Sequence, residues 1–115
     1  MDMERIKDLI STFSKQRDWD KFHNPKNLAM ALSVETSELV EIFQWLTEEQ
    51  SNNLPNDKLK EVEEEIADVF IYLLRLSDKL GIDILDAANN KIKQNAIKYP
   101  ANQVRGSSKK YTEYE

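Results

Sequence analysis

Four carboxylates raise the first chemical question. Glu35 and Glu38 stand at i and i+3, and Glu65 and Asp68 repeat that spacing further along the chain. At helical periodicity each pair shares one face. Glu35 falls in the middle of an apolar stripe of Leu28, Leu32, Leu39, Ile42, Phe43 and Leu46, with Glu38 at its edge. A carboxylate buried without a partner costs more than its packing returns, so a cation, strong donors or a raised pKa must compensate. If the two helices that carry these acids pack antiparallel, four hard oxygen ligands meet. The chain has no cysteine, and its one histidine, His23, lies elsewhere, so such a set prefers Mg²⁺ or Mn²⁺ to zinc. Metal with open positions for phosphate oxygens is the logic of a metal-dependent phosphate enzyme. One ExxE says little in a chain with 21 acids; the conjunction of two pairs on successive helices is the signal.

Other residues could complete such a site. Lys91 and Asn95, at i and i+4, offer a cation and an amide for phosphate or sugar, or else form a solvated helix edge. Trp19, Phe22 and His23 are set among charges in RDWDKFHNPKNL, either as a lid on the core or as a face on which a nucleobase stacks. His23 has no second histidine or cysteine near it and reads as a hydrogen-bonding residue rather than a ligand.

The elements that must hold these residues are helical. Ile6, Leu9, Ile10 and Phe13 mark a first amphipathic helix over residues 2–17, closed by a loop at Asn24 and Pro25. A second helix is expected over 27–48, ending in the loop-like TEEQSNNLPND. The third begins after a cap at Asn56 or Asp57 and runs to Leu80, with Leu59, Val62, Ile66, Val69, Phe70, Leu73 and Leu76 as its core stripe. Glu65, Asp68 and Tyr72 share an adjoining face of it. Gly81 is the expected C-cap, and a fourth helix from Ile82 or Asp83 ends at Pro100. The remainder reads as an irregular tail. The fold expected is all-α, a four-helix antiparallel bundle in one domain, residues 1–115, with part of its core completed by a second subunit.

Composition agrees and excludes. Two glycines and three prolines leave little room for a hairpin-rich β fold. A net charge of -5 argues against binding a nucleic acid polymer. Disulfides, thiolate metal sites and cysteine nucleophiles are absent for want of cysteine. No stretch is apolar and long enough to span a bilayer, and MDMERIKDLI is not shaped like a signal peptide, so a cytoplasmic protein is expected.

Taken together, the two acid pairs with RDWDKFHNPKNL, ELVEIFQW, EEEIADVFIYLL, KIKQNAIKYP and SSKKYTE resemble the all-α nucleoside triphosphate pyrophosphatases of the MazG type, nearest their dCTP pyrophosphatase branch. The resemblance runs from about residue 6 to residue 113. It implies hydrolysis of a deoxynucleoside triphosphate, dCTP or a modified dCTP, to the monophosphate and pyrophosphate, as nucleotide-pool sanitation. Glu35, Glu38, Glu65 and Asp68 would hold Mg²⁺, and Glu38, with Glu35, would serve the attacking water. Lys91 and Asn95 fall at phosphate and sugar contacts and Tyr72 near the sugar. Trp19 and Trp45 fall where members pack the base, with His23, Lys109 and Tyr111 completing the pocket. The family implies a homodimer or homotetramer. One departure bears on the base: cytosine-selective members carry a histidine in the first helix where this chain has Ile10. The rival readings are a dUTP or broad-specificity dNTP pyrophosphatase, and a non-catalytic helical nucleotide-binding or interaction module.

Overall fold

The computed structural model describes residues 1–106, in which every regular element is helical. The chain divides into two compact units, Met1–Gly81 and Ile82–Glu115.

In the first unit, α1 (Met3–Gln16) starts where the Asp2 side chain accepts from the backbone N–H of Arg5 at 2.8 Å. The loop after it turns sharply at Asp18, which takes a left-handed φ of 54°. It closes on α2 (Pro25–Phe43), capped by the Asn24 side chain with Pro25 in the first turn. The Asn27 side-chain amide donates to the Phe22 carbonyl at 3.0 Å and ties this loop to the helix it precedes.

Here the chain departs from the periodicity. The second helix ends at Phe43 rather than near Glu48, and a new helix, α3 (Glu48–Asn52), stands where a loop was expected. The cause is a capping box. The Thr47 hydroxyl accepts from the Gln50 N–H at 3.1 Å while the Gln50 side chain accepts from the Thr47 N–H at 2.9 Å. Trp45 and Leu46 therefore sit in a turn. The long α4 (Asn56–Lys79) follows Pro55, which caps it without a side-chain bond, and ends at Gly81 with φ 67°.

Helix α4 packs on α2 and, less extensively, on α1. Leu28 of α2 and Leu74 of α4 are each only 1% exposed, and Val62 joins them in the core. The expected α4 stripe splits in two. Val62, Val69, Phe70 and Leu76 are buried or half-buried, whereas Leu59, Ile66 and Leu73, seven residues apart, stay exposed, and Leu74, outside that stripe, takes a core place instead. Ser14, Arg75 and Ser77 are buried polar residues of the same unit.

The second unit holds α5 (Ile84–Lys98), capped by the Asp83 side chain, and a short α6 (Ala101–Val104) where an irregular tail was expected. No helix of the described residues is long and apolar enough to cross a membrane.

Candidate metal and nucleotide site

The packing of α4 on α2 brings the acid pairs face to face. One carboxylate oxygen from each of Glu35, Glu38 and Glu65 lies within 4.8 Å of the others. Glu35 and Glu65 are half-buried, and each has an Oε2 that is fully buried without a hydrogen-bond partner. Glu38 is exposed at the rim. Asp68, one turn beyond Glu65, is half-buried and stands outside the three-acid set, acting on it through its charge.

The electrostatics follow from this crowding. Burial pushes the Glu35 carboxyl up to about 7, helped by Glu38 and then by the charge of Asp68. Burial likewise raises Glu65, with Glu38 next in effect. Neighbouring hydroxyls bring no relief. Thr36 and Ser37 donate their hydroxyls back to the Leu32 and Ser33 carbonyls, at 2.8 and 2.9 Å. Among the described residues, no lysine or arginine pairs with any of the four acids. Orphaned oxygens, a raised carboxyl and an all-oxygen donor set fit a hard divalent cation. An open cleft lined by Glu41, Glu61, Glu64 and Lys58 borders Glu38 and Glu65 and gives a hydrated ion access.

A second feature adjoins the first. Asp68 also lines a cavity of about 380 Å³ between α1, α4 and the loop that joins α1 to α2. Its walls are Ile6, Ile10 and Phe13 of α1, Trp19 and His23 of the loop, and Ile71, Tyr72 and Arg75 of α4. Trp19 stands edge-on to Phe13, centroids 5.7 Å apart, and to His23 at 6.1 Å. The Arg17 guanidinium lies 3.6 Å over the Phe13 ring, and the Trp19 N–H donates to the Ser14 carbonyl at 3.0 Å. The loop is thereby fixed as a wall.

Arg75 anchors that wall from below. Its Nη2 donates to Asp20 in the loop, and Lys79 lies 3.9 Å from the same carboxylate. His23 Nδ1 is buried without a partner. Burial lowers its pKa, Arg75 lowers it further, and Asp20 opposes, so the ring is neutral at pH 7. Neither Asp20 nor Arg75 was singled out from the sequence. The signal was there: Arg75 is the one charge inside VFIYLLRLS, where an apolar helix face has to bury a cation with its counter-ion.

Residues 65, 68, 72 and 75 thus form one ladder along α4, about 15 Å from acids to cavity floor. Of the other candidates, Trp45 is 86% exposed in the turn after α2 and does not line the cavity. Lys91 and Asn95 are exposed on α5 of the second unit. Lys109 and Tyr111 lie outside the described residues.

Residues 30–114 match the MazG-like family. The chain belongs to that family. It is 40% identical over 114 residues to dCTP pyrophosphatase 1 of Homo sapiens, a match that covers 96% of this chain and 66% of the human protein. The Mus musculus dCTP pyrophosphatase 1 is 39% identical over 113 residues, with the same shares. The chain therefore spans just under two thirds of the length of these relatives. A solved structure, a pyrophosphatase from Archaeoglobus fulgidus, superposes with a TM-score of 0.81 at 44% identity, over 85% of this chain and 92% of its own.

Proposed function

We propose that this MazG-like protein is a nucleoside triphosphate pyrophosphohydrolase that uses Mg²⁺, with Mn²⁺ as a substitute. It cuts a deoxynucleoside triphosphate between the α and β phosphorus. One water is consumed, and the monophosphate and pyrophosphate leave. The observation that carries this reading is the convergence of Glu35, Glu38 and Glu65 with two buried oxygens unpartnered. A purely structural helix pair has no use for that arrangement.

Glu35, Glu38, Glu65 and Asp68 would hold the cation. When bound, it neutralises phosphate charge and makes water a better nucleophile at neutral pH. Glu38, the most exposed of the three clustered acids, receives the proton of the attacking water while Glu35 fixes its orientation. Trp19, His23 and Tyr72 line the neighbouring cavity and hold base and sugar. Trp45, Lys91, Asn95, Lys109 and Tyr111 take the base, phosphate and sugar contacts implied by the resemblance. The exposed Leu59, Ile66 and Leu73 row is the surface on which a second copy packs to form a homodimer or homotetramer. The names of the curated relatives favour dCTP or a modified dCTP, drawn from the cytoplasmic nucleotide pool. Because the walls reaching the base are mostly apolar and Ile10 is among them, dUTP or a broader set remains the second substrate reading.

Incubation with Mg²⁺ and a panel of NTPs and dNTPs, following monophosphate and pyrophosphate, tests the reaction. Turnover is expected, with its loss in EDTA. Orthophosphate and a diphosphate as products would sink attack at the α-phosphorus.

A further inference from the structure

The loop that carries Trp19 and His23 is tied to its surroundings by two kinds of contact. The first is local. The Asp18 N–H donates to the Lys15 carbonyl at 3.1 Å, the Trp19 N–H to Ser14 at 3.0 Å and the Asn27 amide to Phe22 at 3.0 Å, none reaching more than five residues along the chain. With the edge-on pair of Trp19 and Phe13, these fix the loop on α1 and α2, the two helices it joins. The second kind reaches α4. Arg75, 5% exposed, donates through Nη2 to Asp20, 55 positions away, and Lys79 approaches the same carboxylate at 3.9 Å.

The cavity is walled by α1, α4 and this loop, so the separation of the loop from α4 sets its width. Trp19 and His23 line it, whereas Asp20, between them in the chain, does not. Whatever Asp20 does for an occupant therefore passes through the loop. Once the tie to α4 is cut, only the fraction of molecules with the wall in place can bind, and apparent affinity falls by that fraction. Glu35, Glu38 and Glu65 stand on α2 and α4, not on the loop, so the chemistry of a bound substrate is left as it was.

We propose that Asp20 and Arg75 are positioning residues for the nucleotide: their contact holds the loop against α4 so that Trp19 and His23 wall the space for base and sugar, with Lys79 taking a lesser share. This rests on the reading of the cavity as the base end of the nucleotide site. The pair then acts on substrate affinity and not on hydrolysis.

Asp20→Asn keeps the shape of the side chain and removes its charge. KM for dCTP with Mg²⁺, or for the dNTP that the wild type turns over best, is expected to rise at least about tenfold, with kcat within about twofold. Asp20→Glu, which restores a carboxylate, should recover most of that affinity, and Lys79→Met should raise KM less than about fivefold. A merely structural role gives the reverse pattern: an unfolded fraction removes active molecules, so apparent kcat falls while KM stays. His23, the only histidine in the chain, reports on the wall without turnover. Burial and then Arg75 lower its pKa, Asp20 opposes them, and Lys79 adds to the lowering. In a fixed loop Asp20→Asn removes the opposing charge and the pKa falls further; in a released loop burial is lost and it climbs toward 6.5. Titration of the ring by NMR is expected to show the climb. If Asp20→Asn does not fold, Arg75→Lys, which keeps a cation but loses the reach of the guanidinium, is read the same way. A KM within about twofold of the wild type, or a His23 pKa that does not climb, would overturn the proposal. A climbing pKa in a protein that turns over no dNTP would instead overturn the proposed reaction and leave the pair its hold on the loop.

Discussion

Two charged regions lie nearly three turns apart along α4, on the order of 15 Å, and solve the problem of burial in opposite ways. At Arg75 the protein supplies both partners: the cation is buried and Asp20 comes from the loop to meet it. At Glu35, Glu38 and Glu65 no lysine or arginine among the described residues pairs with the acids, and burial, with Glu38 and Asp68 adding to it, raises the carboxyl of Glu35 to about 7. In the first region the charge finds its counter-ion within the protein. The second crowds like charge, which costs stability, and pairs with no cation among the described residues. Unpaired charge is thus the mark that separates a site from a clasp, and removing charge should have opposite effects in the two places.

The largest effect is expected at the acids. Glu65→Gln should lower kcat/KM by at least about 100-fold, since even residues that merely support metal ligands are worth 10- to 100-fold. The same substitution relieves repulsion within the cluster, so the Tm in EDTA should rise by a few degrees. Activity assays and thermal melts on one preparation check both. A fall in Tm alongside the lost activity would mean that Glu65 is a structural acid and would abolish the contrast.

The clasp should behave the other way. Asp20→Asn leaves a buried cation short of its counter-ion and is expected to destabilise by about 2–3 kcal/mol, below the range for fully buried pairs because the Asp20 side chain is 37% exposed. Arg75→Met should cost about as much, and the double variant should cost less than the two summed. Urea unfolding of the four proteins measures the coupling. Additive losses would show that the pair contributes nothing beyond packing.

How much of this could be read beforehand depends on the kind of signal. Helix existence was legible from Leu28, Leu39, Val62 and their partners at helical spacing, and Gly81 and Asp83 marked their boundary correctly. The break after Phe43 was not, because the reciprocal Thr47 and Gln50 bonds are local chemistry that a stripe of apolar residues conceals. The acids were legible because Glu35 interrupts a stripe. Leu59, Ile66 and Leu73 were assigned to the core, since periodicity says which residues share a face but not which neighbour covers it. The long-range pairing of Arg75 with Asp20 leaves no periodic trace at all.

The smallest effects concern pH, and their signs oppose. The folded protein holds the Glu35 proton more tightly than the unfolded chain, its carboxyl rising from 4.5 to about 7. The unfolded state therefore binds fewer protons in that window, and stability falls as pH rises from about 4.5 through 7. Mg²⁺ should offset this loss, and its stabilising effect should grow across the same range, reaching about 2.7 kcal/mol at 100 times its Kd. His23 is shifted the other way, below its usual 6.5. There the unfolded state binds more protons, so stability is lost as pH falls below 6.5. Because the two windows overlap below 6.5, melts from pH 5 to 8 in EDTA should show the Glu35 loss partly offset below 6.5 and unopposed from 6.5 to about 7. Glu35→Gln should remove the fall with rising pH, and His23→Gln should steepen it below 6.5. A variant that abolishes both trends would show that the cluster and the cavity titrate as one site rather than two.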